Sequence, residues 1–278
     1  MNAIDMIRQA RSRQWAVGEF NISNLETLQA IVAAANAQRS PVIVGVSMGS
    51  LRHIGLSYLR GLVEAAKNEA DVPLYFHLDH GANFDAVRSC IEIGFDSVMI
   101  DASRLPMDEN IAAVRRVADY AHARNVGVEA QIGETWDEES GEQITVKTDP
   151  AEAAEFVART GIDYLAISFG NTPGRLQGKA EVDVDLVRRV ADAIDLPIVL
   201  HGGTSIPDAE LRQALKFGAA KVNIDTALRQ AVIRTLHRAY CDEEPSSDPR
   251  KAFADARQAV QEVVAAKMDL FGSAGRAG

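Results

Sequence analysis

Cysteine is scarce in this chain, with two in 278 residues, Cys90 and Cys241. They form neither a CxxC pair nor the basis of a disulfide framework, and a reduced, cytoplasmic setting is the expectation. No apolar run is long enough to span a bilayer. The first residues, MNAIDMIRQARSRQW, mix charges with apolar positions and lack the apolar stretch of a signal peptide. Basic residues are in deficit, 29 against 39 acidic, for a formal net charge of -10. Such a surface repels nucleic acid and anionic membranes, so neither is an expected partner. A Gly-rich dinucleotide fingerprint is also missing after the first strand-like run, which reads GEFNISN.

What remains is ordinary for a globular protein, with 47% hydrophobic and 24% charged residues. Short runs rich in Val, Ile, Leu and Phe recur at 14–21, 41–47, 73–79, 96–101, 126–132, 163–170, 197–203 and 220–225. Their near-continuous apolarity predicts strands buried on both faces, as in parallel sheets. Between several of them lie helical patterns such as NLETLQAIVAAANAQ, MDENIAAVRRVADYAHAR and PAEAAEFVART. Eight strand–helix repeats predict an α/β fold, a (β/α)8 barrel, as one domain over 1–278. Residues 248–271 predict an appended C-terminal helix, and the tail FGSAGRAG reads as frayed. Two long insertions, 133–149 and 170–183, follow strands and belong to the catalytic face.

Barrel enzymes place their chemistry at the C-terminal ends of strands. Those ends supply Asn21, Ser47, Asp79, His80, Asp101, Ser103, Glu129 and Gln131, then HGGTS at 201–205 and NIDT at 223–226. A lone histidine is usually a hydrogen-bonded surface or core residue. His80 and His201 both stand at strand ends, with Asp79 beside the first, and together they point to a metal or acid–base site. His77 shares strand parity with Asp79 and belongs in the barrel interior. Lys221 shares parity with Asn223 and reads as an interior lysine paired with an acid, with a Schiff-base role as the sharper alternative. The turns HGGTS and NIDT each precede a helical pattern and suit phosphate.

FNISNLETLQAIV, HLDHG, GFDSVMIDAS, YAHARNVGVEA, TDPAEAAEFVARTGIDYLA, PIVLHGGTSIP and KVNIDT occur in the order seen in class II, metal-dependent ketose-bisphosphate aldolases, the fructose- and tagatose-bisphosphate enzymes. The resemblance spans about residues 14 to 270. It implies an aldehyde-lyase in which a divalent ion, usually zinc, polarises a dihydroxyacetone phosphate unit. By match, Asp79 is the acid–base group and His80 and His201 are metal ligands. Asn21, Ser47, Gly174, Gly202, Gly203, Ser205, Asn223, Asp225 and Thr226 match the substrate and phosphate cradle, with Asp101 and Gln131 as other mouth residues. The resemblance also implies a homodimer or homotetramer acting on a phosphorylated sugar.

The chain departs from the family in three places. Pro173 in GNTPG stands where the third metal histidine belongs, and proline cannot ligate a metal. Gln131 in EAQ replaces an acid, and GETWDEES replaces a glycine-rich acidic loop. Three readings follow. A metal-dependent lyase could recruit a substitute ligand, with Glu134 the candidate. A metal-free lyase or isomerase could act on a related sugar phosphate, or a non-catalytic phosphosugar-binding subunit could keep the barrel. Trp136 suits either a sugar face or a subunit contact.

Overall fold

Along each strand of a closed barrel, alternate residues point inward, and in this chain the inward positions of several strands are charged. The computed structural model describes residues 1–133, 146–171, 181–242 and 248–278. Eight parallel strands close in sequence order: β1 (Val17–Asn21), β2 (Val42–Ser47), β3 (Leu74–Gly81), β4 (Ser97–Ile100), β5 (Gly127–Ile132), β6 (Tyr164–Ile167), β7 (Ile198–Leu200) and β8 (Ala219–Ile224). The chain therefore folds as the expected (β/α)8 barrel.

Ten α-helices precede the terminal one among the described residues: α1 (Ala3–Ser12), α2 (Leu25–Gln38), α3 (Met48–Ile54), α4 (Leu56–Glu69), α5 (Phe84–Glu92), α6 (Met107–His122), α7 (Pro150–Thr160), α8 (Val184–Ala193), α9 (Asp208–Lys216) and α10 (Thr226–His237). Their starts follow local rules. Asn24 and Asn83 cap α2 and α5 through side-chain oxygens, and Asp149 caps α7 ahead of Pro150. The helices bury one face on the outer sides of the strands, where Val44, Phe76, Val98, Val128 and Val222 form part of the main core.

Inside the barrel the filling is layered. At the N-terminal end, Val17, Ile43, Tyr164, Ala166 and Val199 pack against Met6 and Ile7 of α1, which closes the floor. Above them lie Glu19, His77, Glu129 and Lys221, all fully buried. Above these again, toward the strand ends, come Asn21, Asp79, Gln131 and Asn223, each one pair of residues further along its strand.

A terminal helix, α11 (Pro249–Phe271), runs against α2 and α10 as the pattern over 248–271 predicts. The tail beyond it corrects the expectation of fraying. Gly272 ends α11 in the left-handed region, and Ser273 is fully buried with its hydroxyl 2.8 Å from that of Ser40. The amides of Gly275 and Ala277 donate to the carbonyls of Gln38 and Arg39. Backbone pairing, invisible in a string of Gly, Ser and Ala, ties the tail down. No described helix is long and apolar enough to cross a membrane.

Candidate active site

The two neighbours Asp79 and His80 should point to opposite sides of β3. Both nevertheless serve the mouth, because the strand pairing shifts between Leu78 and Gly81, and His80 adopts a left-handed backbone with φ of 51°. A bulge of this kind re-aims a side chain at the edge of a sheet. Gly81 permits it: a Cβ there would stand 2.5 Å from the Met99 carbonyl oxygen.

Each histidine ring is fixed through one nitrogen and free at the other. His80 Nδ1 lies 2.6 Å from Asp101 Oδ2, and the Ser103 hydroxyl donates to Asp101 Oδ1 at 2.7 Å. That arrangement leaves His80 Nε2 facing Asp79 Oδ1 at 3.7 Å. His201 Nε2 lies 2.7 Å from Glu129 Oε1, and its buried Nδ1 has no hydrogen-bond partner among the described residues. The two rings meet edge to face with centroids 4.7 Å apart. Carboxylates that hold the far nitrogen of an imidazole set its tautomer and raise its basicity as a ligand.

Asp79 is gripped from both sides. Asn21 Nδ2 donates to its Oδ2 at 2.8 Å and Asn223 Nδ2 to its Oδ1 at 3.3 Å. Burial acts to raise its pKa, but His80, His201, Lys221 and the Asn21 hydrogen bond outweigh burial and hold the carboxyl below its usual range. His80 shows the complementary effect: burial disfavours its charge, yet Asp79 and Asp101 raise it to about 10. The same negative surroundings attract a cation, for which the imidazole must first give up its proton. Asp79, His80 and His201 can each aim one ligand atom into a common space, all within 4.8 Å of one another. Two oriented imidazoles, an orphaned nitrogen and this field fit a divalent ion.

Beneath them Lys221 Nζ donates to Glu129 Oε2 and to Asn223 Oδ1, both at 2.8 Å, and also pairs with Glu19. Burial would strip its proton, but Glu129 and Glu19 hold it above the usual lysine value. An ammonium saturated in this way is an interior ion-pair partner and no Schiff-base nucleophile. His77 lies inside as its parity predicts. Its Nδ1 is 2.8 Å from the Ser97 hydroxyl rather than bonded to Asp79, and its Nε2 is 3.6 Å from Glu129 Oε2.

The other residues singled out in the sequence take varied places. Gln131 points into the interior and donates to the Gly133 carbonyl at 3.1 Å. Ser47 caps α3 and stands beside Asp79 in the strand register. Gly202 is left-handed with φ of 65°, and the Gly203 amide donates to the Asn223 carbonyl, tying the loop after β7 to β8. The Ser205 hydroxyl donates to the Gly202 carbonyl. Asp225 precedes Thr226, the first residue of α10, and does not cap that helix start with its own side chain, while the Ala227 amide donates to the Thr204 hydroxyl at 3.3 Å. Asp225 pairs instead with Arg229. Glu134, Trp136, Pro173 and Gly174 lie outside the described residues.

Two contributors escaped the reading of strand ends, and a third was seen there without its role. Glu19 sits two residues before Asn21 on β1, so shared parity alone would have found it. Glu129 was visible as a strand-end acid but not as the group that orients His201. Asn171, fully buried, donates to the His201 carbonyl at 2.9 Å, and only tertiary contact reveals that.

With this geometry in hand, the likeness to known proteins is direct. The family model described as fructose-bisphosphate aldolase class-II matches residues 1–276. A fructose-bisphosphate aldolase of Geobacillus stearothermophilus is 39% identical, over 98% of this chain and 97% of its own length. One of Giardia intestinalis is 36% identical, over 98% of this chain and 93% of its own length. The crystal structure of the YdjI aldolase of Escherichia coli K12 superposes with a TM-score of 0.87 at 31% identity, covering 100% of this chain and 99% of the other. The chain belongs to the class-II fructose-bisphosphate aldolase family. It is an aldolase-like lyase on a (β/α)8 barrel.

Proposed function

We propose that the chain cleaves and forms a carbon–carbon bond in a phosphorylated ketose, with Asp79 as the acid–base group. The carrying observation is the double amide grip on Asp79 beside two half-fixed imidazoles. His80 Nε2 and His201 Nδ1 would hold a divalent ion, with zinc the expected metal. Bound there, it would supply Lewis-acid polarisation of the dihydroxyacetone phosphate oxygens. Asp79 already receives hydrogen bonds at both oxygens, so a third ligand is better sought in Glu134 of the loop after β5.

The protein groups divide the remaining work. Asp79, ionised at neutral pH, takes the proton from the substrate hydroxyl beside the breaking bond and returns it in the synthetic direction. Asn21 and Asn223 keep the carboxylate from rotating. The loop after β7 and the start of α10 receive the phosphate through backbone N–H groups, with Gly202, Gly203, Ser205 and Thr226 lining it. The loops after β5 and β6 select the aldehyde half. The reduced cytoplasm and a dimer or tetramer accord with the family and the cysteine usage.

The test uses protein purified without chelator and fructose 1,6-bisphosphate as the first substrate. About one divalent ion per chain is expected, with activity lost on chelation and restored by zinc. Asp79→Ala should cut turnover about a hundredfold or more with the fold intact. A site that stays empty in excess zinc, together with activity that survives chelation, would reject this reading in favour of metal-free chemistry.

A further inference from the structure

The interior layer beneath the mouth holds more acid than base. Glu19, Asp79 and Glu129 surround a single ammonium, that of Lys221, and the imidazole of His77 is kept neutral by burial and by Lys221. Glu129 shares that ammonium, takes a hydrogen bond from His201, and is held well below the usual carboxylate range despite its burial. Asp79 has the two asparagine amides and His80. Glu19 is left with a share of Lys221 at one oxygen only.

Its other oxygen meets an unusual neighbour. Glu19 Oε1 and Asn21 Oδ1 are both buried, and neither has a hydrogen-bond partner among the described residues. They lie against the same face of Gly45, because a Cβ there would stand 2.3 Å from the first and 2.0 Å from the second. Two bare acceptors side by side in the buried centre of a barrel are costly unless a hydrogen lies between them. The Asn21 amide is not reversed, since its Nδ2 donates to Asp79 at 2.8 Å. The missing hydrogen must therefore come from the glutamate side.

A cation bound by Glu19, His77 and Asp79 would be the rival account, since their ligand atoms lie within 4.8 Å of one another. The Lys221 ammonium already contacts Glu19 there and would repel it.

We infer that Glu19 is a positioning residue for Asp79: as a neutral carboxylic acid it donates from Oε1 to Asn21 Oδ1 across Gly45 and locks the Asn21 amide with its Nδ2 on the Asp79 carboxylate. Its Oε2 keeps its contact with the Lys221 ammonium, and Lys221 serves Glu129 as its ionised partner. The same lysine orients the second amide by donating to Asn223 Oδ1. Burial, reinforced by Asp79 and Glu129 against the pull of Lys221, raises the Glu19 pKa in the direction this arrangement needs. The inference rests on the acid–base reading of Asp79.

The experiment pairs infrared difference spectroscopy with kinetics on the metal-loaded full chain. Wild type at neutral pH should show the carbonyl stretch of a protonated carboxylic acid, absent from Glu19→Gln. Glu19→Gln places an amide donor in the same position and should keep kcat within about threefold, whereas Glu19→Ala should lower kcat by up to about a hundredfold with little change in KM. A missing acid band, or a Glu19→Gln enzyme as impaired as Glu19→Ala, overturns the inference even if Glu19→Ala fails to fold. Failure of the aldolase reading looks different: wild type itself would cleave no ketose phosphate.

Discussion

His201 gives its Nε2 to the Glu129 carboxylate at 2.7 Å and so leaves only a buried Nδ1 without a hydrogen-bond partner among the described residues. Glu129 in turn is held by Lys221 at 2.8 Å, so the ring's orientation is anchored to the centre of the barrel. Glu129→Gln should weaken divalent-metal binding by about 10- to 100-fold, the usual cost of losing a group that orients a ligand. Metal titration of the chelated protein measures this. Unchanged affinity would mean that some other group orients His201.

Gly45 leaves no room for a side chain between Asn21 and Glu19. Gly45→Ala should push the Asn21 amide off Asp79, lowering turnover, and should cost about 1–3 kcal/mol of stability as an overpacked core does. Thermal melts and steady-state kinetics read the two effects separately. Normal turnover in a folded Gly45→Ala protein would show that the Asn21 contact is dispensable.

His77 predicts an acid sensitivity. Burial first, and Lys221 second, lower its pKa from 6.5 to about 3. Below 6.5 the unfolded chain takes up a proton that the folded protein refuses, so this contribution to stability is lost as pH falls from 6.5 toward 3. The slope is at most about 1.4 kcal/mol per pH unit. Denaturant titrations across that window should show wild type losing more stability than His77→Gln. Parallel curves for the two proteins would contradict the buried neutral imidazole.

Asp225 does not cap the start of α10, and the loop after β7 meets that first turn where the Ala227 amide donates to the Thr204 hydroxyl. Dihydroxyacetone phosphate should bind at least about tenfold tighter than dihydroxyacetone, as charge-assisted bonds to a phosphate would require. Calorimetry with both ligands decides the matter, and equal affinities would remove the phosphate cradle from these two loops.

Much of this protein is legible without coordinates. The eight apolar runs fall on the eight strands, because a strand buried on both faces must be apolar nearly throughout. Period-two alternation also puts His77 and Lys221 inside before any contact is known. Local chemistry marks the helix starts at Asn24, Asn83 and Asp149. Asp79, His80 and His201 are readable because polar side chains at strand ends of a barrel have few other reasons to be there.

What the sequence by itself determined is thus the periodicity: which residues lie in strands, which face inward, and which stand at the mouth. Tertiary structure alone decided the pairings. No local pattern announces that β3 bulges so that His80 turns back beside Asp79, that Glu129 and Asp101 hold opposite rings, or that the final residues pair with the end of α2. Those contacts join residues from 21 positions apart, His80 and Asp101, to opposite ends of the chain, Arg39 and Ala277. The physical reason is that periodicity is a property of one segment, whereas a hydrogen bond across a closed barrel depends on the register of every strand between its two ends.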